Sequence, residues 1–187
     1  MVGGPNGSGK TTLALEYAAE TGFQYLGADA IASEIDPDQP SSAQVAAGRQ
    51  FIKSVDDRIA NSISIVVEST LSGLTMRNVI AEAKSRKYIV SVAFLFVESA
   101  DVCVARVDER VRKGGHLVPE ADIRRRFPRA IVNFWTIYRE MADNWVLLYN
   151  GETAIQDVAG GSLDKMTIRD PSAYATFLQL AESSDND

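Results

Sequence analysis

The chain has 187 residues, 45% of them hydrophobic, with a net charge of −6 and one cysteine. That length supports one sizeable core and leaves little for a second, so a single domain over residues 1–187 is predicted. The acidic balance argues against a nucleic-acid footprint, lone Cys103 excludes an intrachain disulfide, and no apolar run approaches the roughly eighteen residues of a membrane span; a soluble, cytoplasmic protein without nucleic-acid or membrane partners is predicted.

The first element is the run Gly4-Pro5-Asn6-Gly7-Ser8-Gly9-Lys10-Thr11-Thr12, which satisfies G-x-x-x-x-G-K-[ST] at every fixed position. Glycines in such a loop let successive N–H groups face a polyphosphate, the lysine bridges its outer phosphates, and the first threonine completes a Mg²⁺ shell. Thr11 to Ala18 then reads as a helix whose N-terminus faces the anion, so ATP and Mg²⁺ are the predicted ligands. Only Met1-Val2-Gly3 precede the loop, where a buried strand of about five residues is expected. The strand is therefore read as starting upstream or as completed from elsewhere in the chain.

Phe23 to Leu26 reads as a short strand ending at Gly27, and Asp29 falls just past it. Pro37, Pro40 and Ser41-Ser42 mark a loop, after which Val45, Ile52, Val55 and Ile59 fall on one helical face. Ile63 to Val67 is an apolar strand closed by Glu68-Ser69-Thr70. A helix through Met76 to Arg86 leads to Tyr88–Val97, apolar enough for a central strand. Ser99 or Asp101 can cap the next helix, which stops near Lys113 at Gly114-Gly115, before the sole histidine, His116. From Pro119 the series Ile123, Phe127, Ile131, Trp135 and Tyr138 keeps helical spacing, with Pro128 marking a kink or junction. Trp145–Tyr149 is a fifth strand, the stretch from Gly151 to Ile168 suggests a hairpin, Ser172 to Leu180 a last helix, and 181–187 a disordered acidic tail. The alternation predicts an α/β P-loop NTPase: a mostly parallel sheet of about five strands, helices on both faces, and a helical lid over about 106–126.

Ligands of such sheets collect beyond the strands' C-terminal ends, which gathers Lys10, Asp29 and Glu68 on one rim. Phosphoryl transfer needs the nucleotide held, the metal placed, an acceptor hydroxyl deprotonated and the charge on the equatorial oxygens neutralised. Asp29 suits the base, or it caps the helix that begins beside it. Glu68 suits Mg²⁺ beside Thr11, a hydrogen bond to substrate, or a solvent-facing strand end. Arg106 and Arg110, one helical turn apart, suit phosphate clamping, as does Arg125 in the Arg124-Arg125-Arg126 triplet. Surface pairing of Asp108 and Glu109 with Arg112 and Lys113 accounts for part of the same charge pattern. Arg49, Thr70 and His116 complete the predicted acceptor-binding set. One histidine and one cysteine cannot build a zinc shell, no Asn-Lys-x-Asp sequence supports a GTPase, and Leu74-Thr75 breaks the transporter-ATPase pattern begun by Leu71-Ser72-Gly73.

In order, Gly4–Thr12, Gly27-Ala28-Asp29-Ala30-Ile31-Ala32, Ala47-Gly48-Arg49, Val67-Glu68-Ser69-Thr70, Arg106 through His116, the arginine triplet and Asn133 through Tyr138 resemble the zeta-toxin-like P-loop kinases. The resemblance implies transfer of the ATP γ-phosphate to a hydroxyl of a small acceptor, such as UDP-N-acetylglucosamine. It matches Asp29 to the family's base, Glu68 to its substrate-contacting acid, and the lid arginines to its charge-neutralising groups. The Gly114-Gly115-His116 segment departs from the lids of the well-known toxins, so the acceptor stays open. An antitoxin-like protein partner is a further implication of the family that these residues do not themselves require. The alternative reading is a nucleotide-dependent switch or ATPase module that acts through a protein partner.

Overall fold

Among the described residues, one seven-stranded sheet forms in the order β2-β3-β1-β4-β5-β6-β7. The middle of its parallel part is β1 (Val2–Gly3), parallel to β3 (Ile65–Ser69) on one side and β4 (Ser91–Phe96) on the other. Outside them lie β2 (Gln24–Gly27) and β5 (Asn144–Asn150), also parallel. The computed structural model describes residues 1–36, 42–151, 154–162 and 165–183; the predicted loop at Pro37, Pro40 and Ser41 lies outside them.

Seven strands replace the five expected. The addition is β6 (Ile155–Ser162) and β7 (Lys165–Ile168), an antiparallel pair continuing from β5. They lie within the hairpin suggested over Gly151 to Ile168 but were not counted into the sheet, because β7 is wholly exposed and β6 buries only Val158, Ala159 and Gly160, so neither has the apolar run that marks a covered strand.

Among the described residues, eight α-helices accompany the sheet: α1 (Lys10–Thr21), α2 (Ala28–Ile35), α3 (Gln44–Ala60), α4 (Thr75–Ser85), α5 (Ala100–Arg112), α6 (Glu120–Asn133), the single turn α7 (Arg139–Met141) and α8 (Pro171–Ser183). The two-residue period of β4 divides the core. Val92, Phe94 and Phe96 join a large cluster with Val55, Phe134 and Phe177, whereas Leu95 joins a thin one with Val2, Val66, Ala14 and Ala18. Phe94 is fully buried and stacks on Phe134 at 4.3 Å.

Three local expectations change. The buried face of α3 is Ala47, Phe51, Val55 and Ile59, and Val45 is 70% exposed; Val45 lies ten positions before Val55, a spacing that turns it off the covered stripe. Pro128 does not mark a junction between helices: α6 runs through it, with buried Ile123 and Phe127 before the ring and Ala130 and Ile131 after it. The change of geometry comes later, in a π-turn over Phe134–Tyr138. That turn brings the Tyr138 hydroxyl to the Gly73 carbonyl at 2.5 Å, while Asn133 donates to the Leu71 carbonyl at 2.9 Å. Residues 181–183, read as tail, belong to α8, where Ala181 is buried; 184–187 lie outside the described residues.

Candidate nucleotide and phosphoryl-transfer site

Parallel pairing builds the site rim. Gly27 lies opposite Glu68, and Glu68 opposite Val2, so the ends of β2, β3 and β1 are level and their following residues emerge together. From β1 the chain enters the phosphate loop, with Gly4, Gly7 and Gly9 at positive φ. Gly4 and Gly9 both leave no room for a side chain: a Cβ at Gly4 would collide with the Leu95 carbonyl, and at Gly9, where φ is +95°, it would lie 2.5 Å from Asn150 Nδ2. Asn150, at the end of β5, donates that amide to the Ser8 carbonyl at 2.8 Å and so ties the loop to the far side of the rim.

A cavity of about 260 Å³ opens above the loop, lined by Asn6, Gly7, Gly9, Lys10, Thr11, Thr12, Asp29, Glu68, Arg106 and Arg110. Lys10 is 6% exposed and donates to the Pro5 carbonyl at 2.7 Å. Burial pushes its pKa down, opposed by the charges of Glu68 and Asp29. Thr11 Oγ1 donates to Glu68 Oε1 at 3.0 Å, and the Tyr25 hydroxyl donates to Glu68 Oε2 at 2.5 Å. Burial, then that hydrogen bond, raises the Tyr25 pKa well above the phenol range, so the hydroxyl stays a donor. Asp29 is exposed in the first turn of α2. The capping position is Gly27, so Asp29 is not the helix's cap, and its carboxylate makes no hydrogen bond among the described residues.

The arginines divide. Arg106 donates Nη2 to the Asn150 and Gly151 carbonyls at 3.0 and 2.9 Å, and Arg110 donates to the His116 carbonyl at 2.7 Å with its Nε buried and unpartnered. Gly114 at φ +87° ends the helical course as predicted, while Gly115 gives Arg110 room: a Cβ there would sit 2.5 Å from Arg110 Cγ. Arg125 lies elsewhere. It pairs with Asp122 at 2.6 Å, Arg124 pairs with Asp101 and Glu120, and none of the triplet lines the cavity. The predicted surface pairing recurs in Glu109 with Lys113.

The other predicted acceptor residues also fall away from this cavity. Arg49 lines a separate depression of about 620 Å³ with Gln44, Gly48 and Thr75. Thr70 pairs its hydroxyl with Ser72 at 2.9 Å, and His116 touches the site only through the carbonyl that Arg110 uses. Cys103 is buried beneath Gly7; burial pushes its thiol up to about 12 despite the pull of Lys10 and Arg106, so it is filler and not a nucleophile. Tyr25 and Asn150 were missed by sequence reasoning. Both stand at or near the C-terminal end of a parallel strand, and applying the rim rule to every strand would have found them.

No group of three or more His, Cys, Asp or Glu side chains able to hold a metal occurs among the described residues. A Mg²⁺ ion suits the site on other grounds, because it keeps its waters and takes phosphate oxygens, and the adjoining Thr11 and Glu68 supply the one or two protein oxygens it needs. No helix among the described residues is long and apolar enough to cross a membrane.

The sequence profile of the AAA domain family AAA_33 matches residues 1–127, which take in the phosphate loop, Asp29, Glu68, Arg106 and Arg110. The chain belongs to the AAA_33 family. An uncharacterized protein of Haemophilus influenzae (strain ATCC 51907 / DSM 11121 / KW20 / Rd) is 32% identical over 124 residues, 66% of this chain and 88% of that protein. Among solved structures, this AAA_33 chain is similar to the AvrRxo1-ORF1:-ORF2 complex with ATP, at a TM-score of 0.72 and 18% identity over 94% of this chain and 61% of that one. It is also similar to the PezAT chromosomal toxin–antitoxin system of Streptococcus pneumoniae, at a TM-score of 0.60 and 15% identity over 99% and 83% of the two chains. The chain thus spans about three fifths of the AvrRxo1 complex's matched chain. These likenesses establish the P-loop α/β fold.

Proposed function

We propose that the chain is an ATP- and Mg²⁺-dependent phosphotransferase that moves the γ-phosphoryl group to a hydroxyl of a small-molecule acceptor. One observation carries the reading: Lys10, Thr11, Asp29, Glu68, Arg106 and Arg110, spread over four segments of sequence, line a single cavity above the phosphate loop. The loop's N–H groups and Lys10 hold the phosphates. Thr11 and Glu68 would hold Mg²⁺, which would supply charge neutralisation at the phosphates. Asp29 accepts the acceptor's proton as its oxygen bonds to the γ-phosphorus and the bond to the β–γ bridging oxygen breaks, releasing ADP. Arg106 and Arg110, on the helical segment proposed as the lid, offset the charge spread over the transferring group.

Support for the finer reading comes from the zeta-toxin resemblance, which makes UDP-sugars, UDP-N-acetylglucosamine first, the leading acceptors. The neighbours' names, a two-component AvrRxo1 complex and a toxin–antitoxin system, support a protein partner. The test is ATP turnover by the purified chain against UDP-sugars and a pool of hydroxyl metabolites, with the product identified by mass spectrometry. A phosphorylated metabolite, lost in Asp29→Asn while ATP still binds, is the expected result. Turnover stimulated only by a protein, with no phosphorylated small molecule, would overturn the reading in favour of a nucleotide-dependent switch.

A further inference from the structure

Tyr25 belongs to no motif in the chain, yet it and Thr11 share one carboxylate: Tyr25 on Glu68 Oε2, Thr11 on Glu68 Oε1. The two donors are held differently. Tyr25 sits opposite Val66 in the sheet, and its ring packs on the cluster of Val2, Ala14, Ala18, Val66 and Leu95. Thr11 is exposed, and its hydroxyl swings about a single side-chain bond.

Gly27 supplies a second observation. Its φ of −136° is open to any residue, so the backbone does not call for glycine. Space does: a Cβ at Gly27 would collide with the Tyr25 hydroxyl and lie 2.8 Å from Tyr25 Cζ. Gly27 also pairs with Glu68 across the sheet. The glycine therefore clears the path by which the phenol reaches the carboxylate.

Resting on the ATP·Mg²⁺ reading above, we infer that Tyr25 is a positioning residue that keeps Glu68 oriented toward the metal when the Thr11 hydroxyl turns from Glu68 to the cation. Thr11 is the exchangeable donor, and Tyr25 is the fixed one. Loss of the fixed donor leaves the carboxylate free to rotate at the moment it must meet Mg²⁺ or a metal-bound water. Groups that hold a metal-ligating carboxylate in this way change metal affinity by about 10- to 100-fold when removed.

The test is calorimetric titration of ATP into the intact chain over a Mg²⁺ series, for wild type, Tyr25→Phe, Gly27→Ala and the double variant. Each single variant is expected to raise the half-saturating Mg²⁺ concentration about tenfold. The double variant is expected to match the singles, because one hydrogen bond is lost once. Metal-free ATP affinity stays at the wild-type value, and Tyr25→Phe, which keeps the packed ring, still unfolds in a single cooperative transition. A Mg²⁺-dependent wild type whose variants titrate like it overturns this inference alone. A wild type whose ATP binding ignores Mg²⁺ overturns the metal reading and this inference with it.

Discussion

Replacement of Gly9 by alanine probes how the phosphate loop is held. At φ +95° an L-residue pays about 1–2 kcal/mol in backbone strain. The new Cβ would lie 2.5 Å from Asn150 Nδ2, so the amide must move and its 2.8 Å bond to the Ser8 carbonyl breaks, a loss of about 1 kcal/mol. Gly9→Ala should therefore cost about 2–3 kcal/mol and Asn150→Ala about 1 kcal/mol, the latter leaving intact the bond from Arg106 to the backbone carbonyl of residue 150. Independent effects would sum to about 3–4 kcal/mol. The shared hydrogen bond predicts instead that the double variant costs no more than Gly9→Ala, an interaction of about −1 kcal/mol. Urea unfolding of the four proteins, with ATP calorimetry beside it, measures the cycle. Strict additivity would show that the Gly9 methyl never reaches Asn150 and would refute the argument.

Three further outcomes follow from packing and charge. Phe94→Ala, which empties the centre of the large core beside Phe134, should cost about 3–5 kcal/mol by chemical denaturation. Arg125→Ala should change stability by less than about 0.5 kcal/mol and leave ATP turnover unchanged, since its partner Asp122 lies on its own helix and away from the cavity; a large loss of turnover would return Arg125 to the site. The Val90 N–H, then Lys84, hold the Asp143 carboxyl below the usual carboxylate range. A carboxylate depressed on folding contributes stability above its unfolded pKa and loses it as pH falls through the folded one. Unfolding free energy should thus drop from about pH 5 downward, and Asp143→Asn should flatten that part of the curve.

Among the five parallel strands, β3, β4 and β5 were legible from their apolar runs, and β1 and β2 from the glycines that end them beside the phosphate loop and Asp29. The antiparallel pair was legible only as a hairpin and not as a continuation of the sheet, since exposed strands carry no such run. The Ser99 cap was legible too: its Oγ accepts from the Val102 N–H at 3.3 Å, and that local geometry lies within four residues. Gly27 and Gly115 look like ordinary turn punctuation in sequence; the space they leave is used by Tyr25 and Arg110 and becomes visible only when the side chains are placed.

By itself, the sequence determined the phosphate loop and the helix behind it, because the N–H groups, Lys10 and Thr11 that define them are contiguous and need no distant partner. It also determined that acids would stand at strand ends. Which charged groups converge was decided by tertiary structure. Arg106 reaches the cavity and Arg125 does not, although both are arginines on helices with acidic neighbours. Tyr25 meets Glu68 across 43 positions, and Asn150 meets Ser8 across 142. Such meetings depend on the lateral order of strands and the rotation of each helix against the sheet, quantities fixed by packing of the whole core and absent from local spacing.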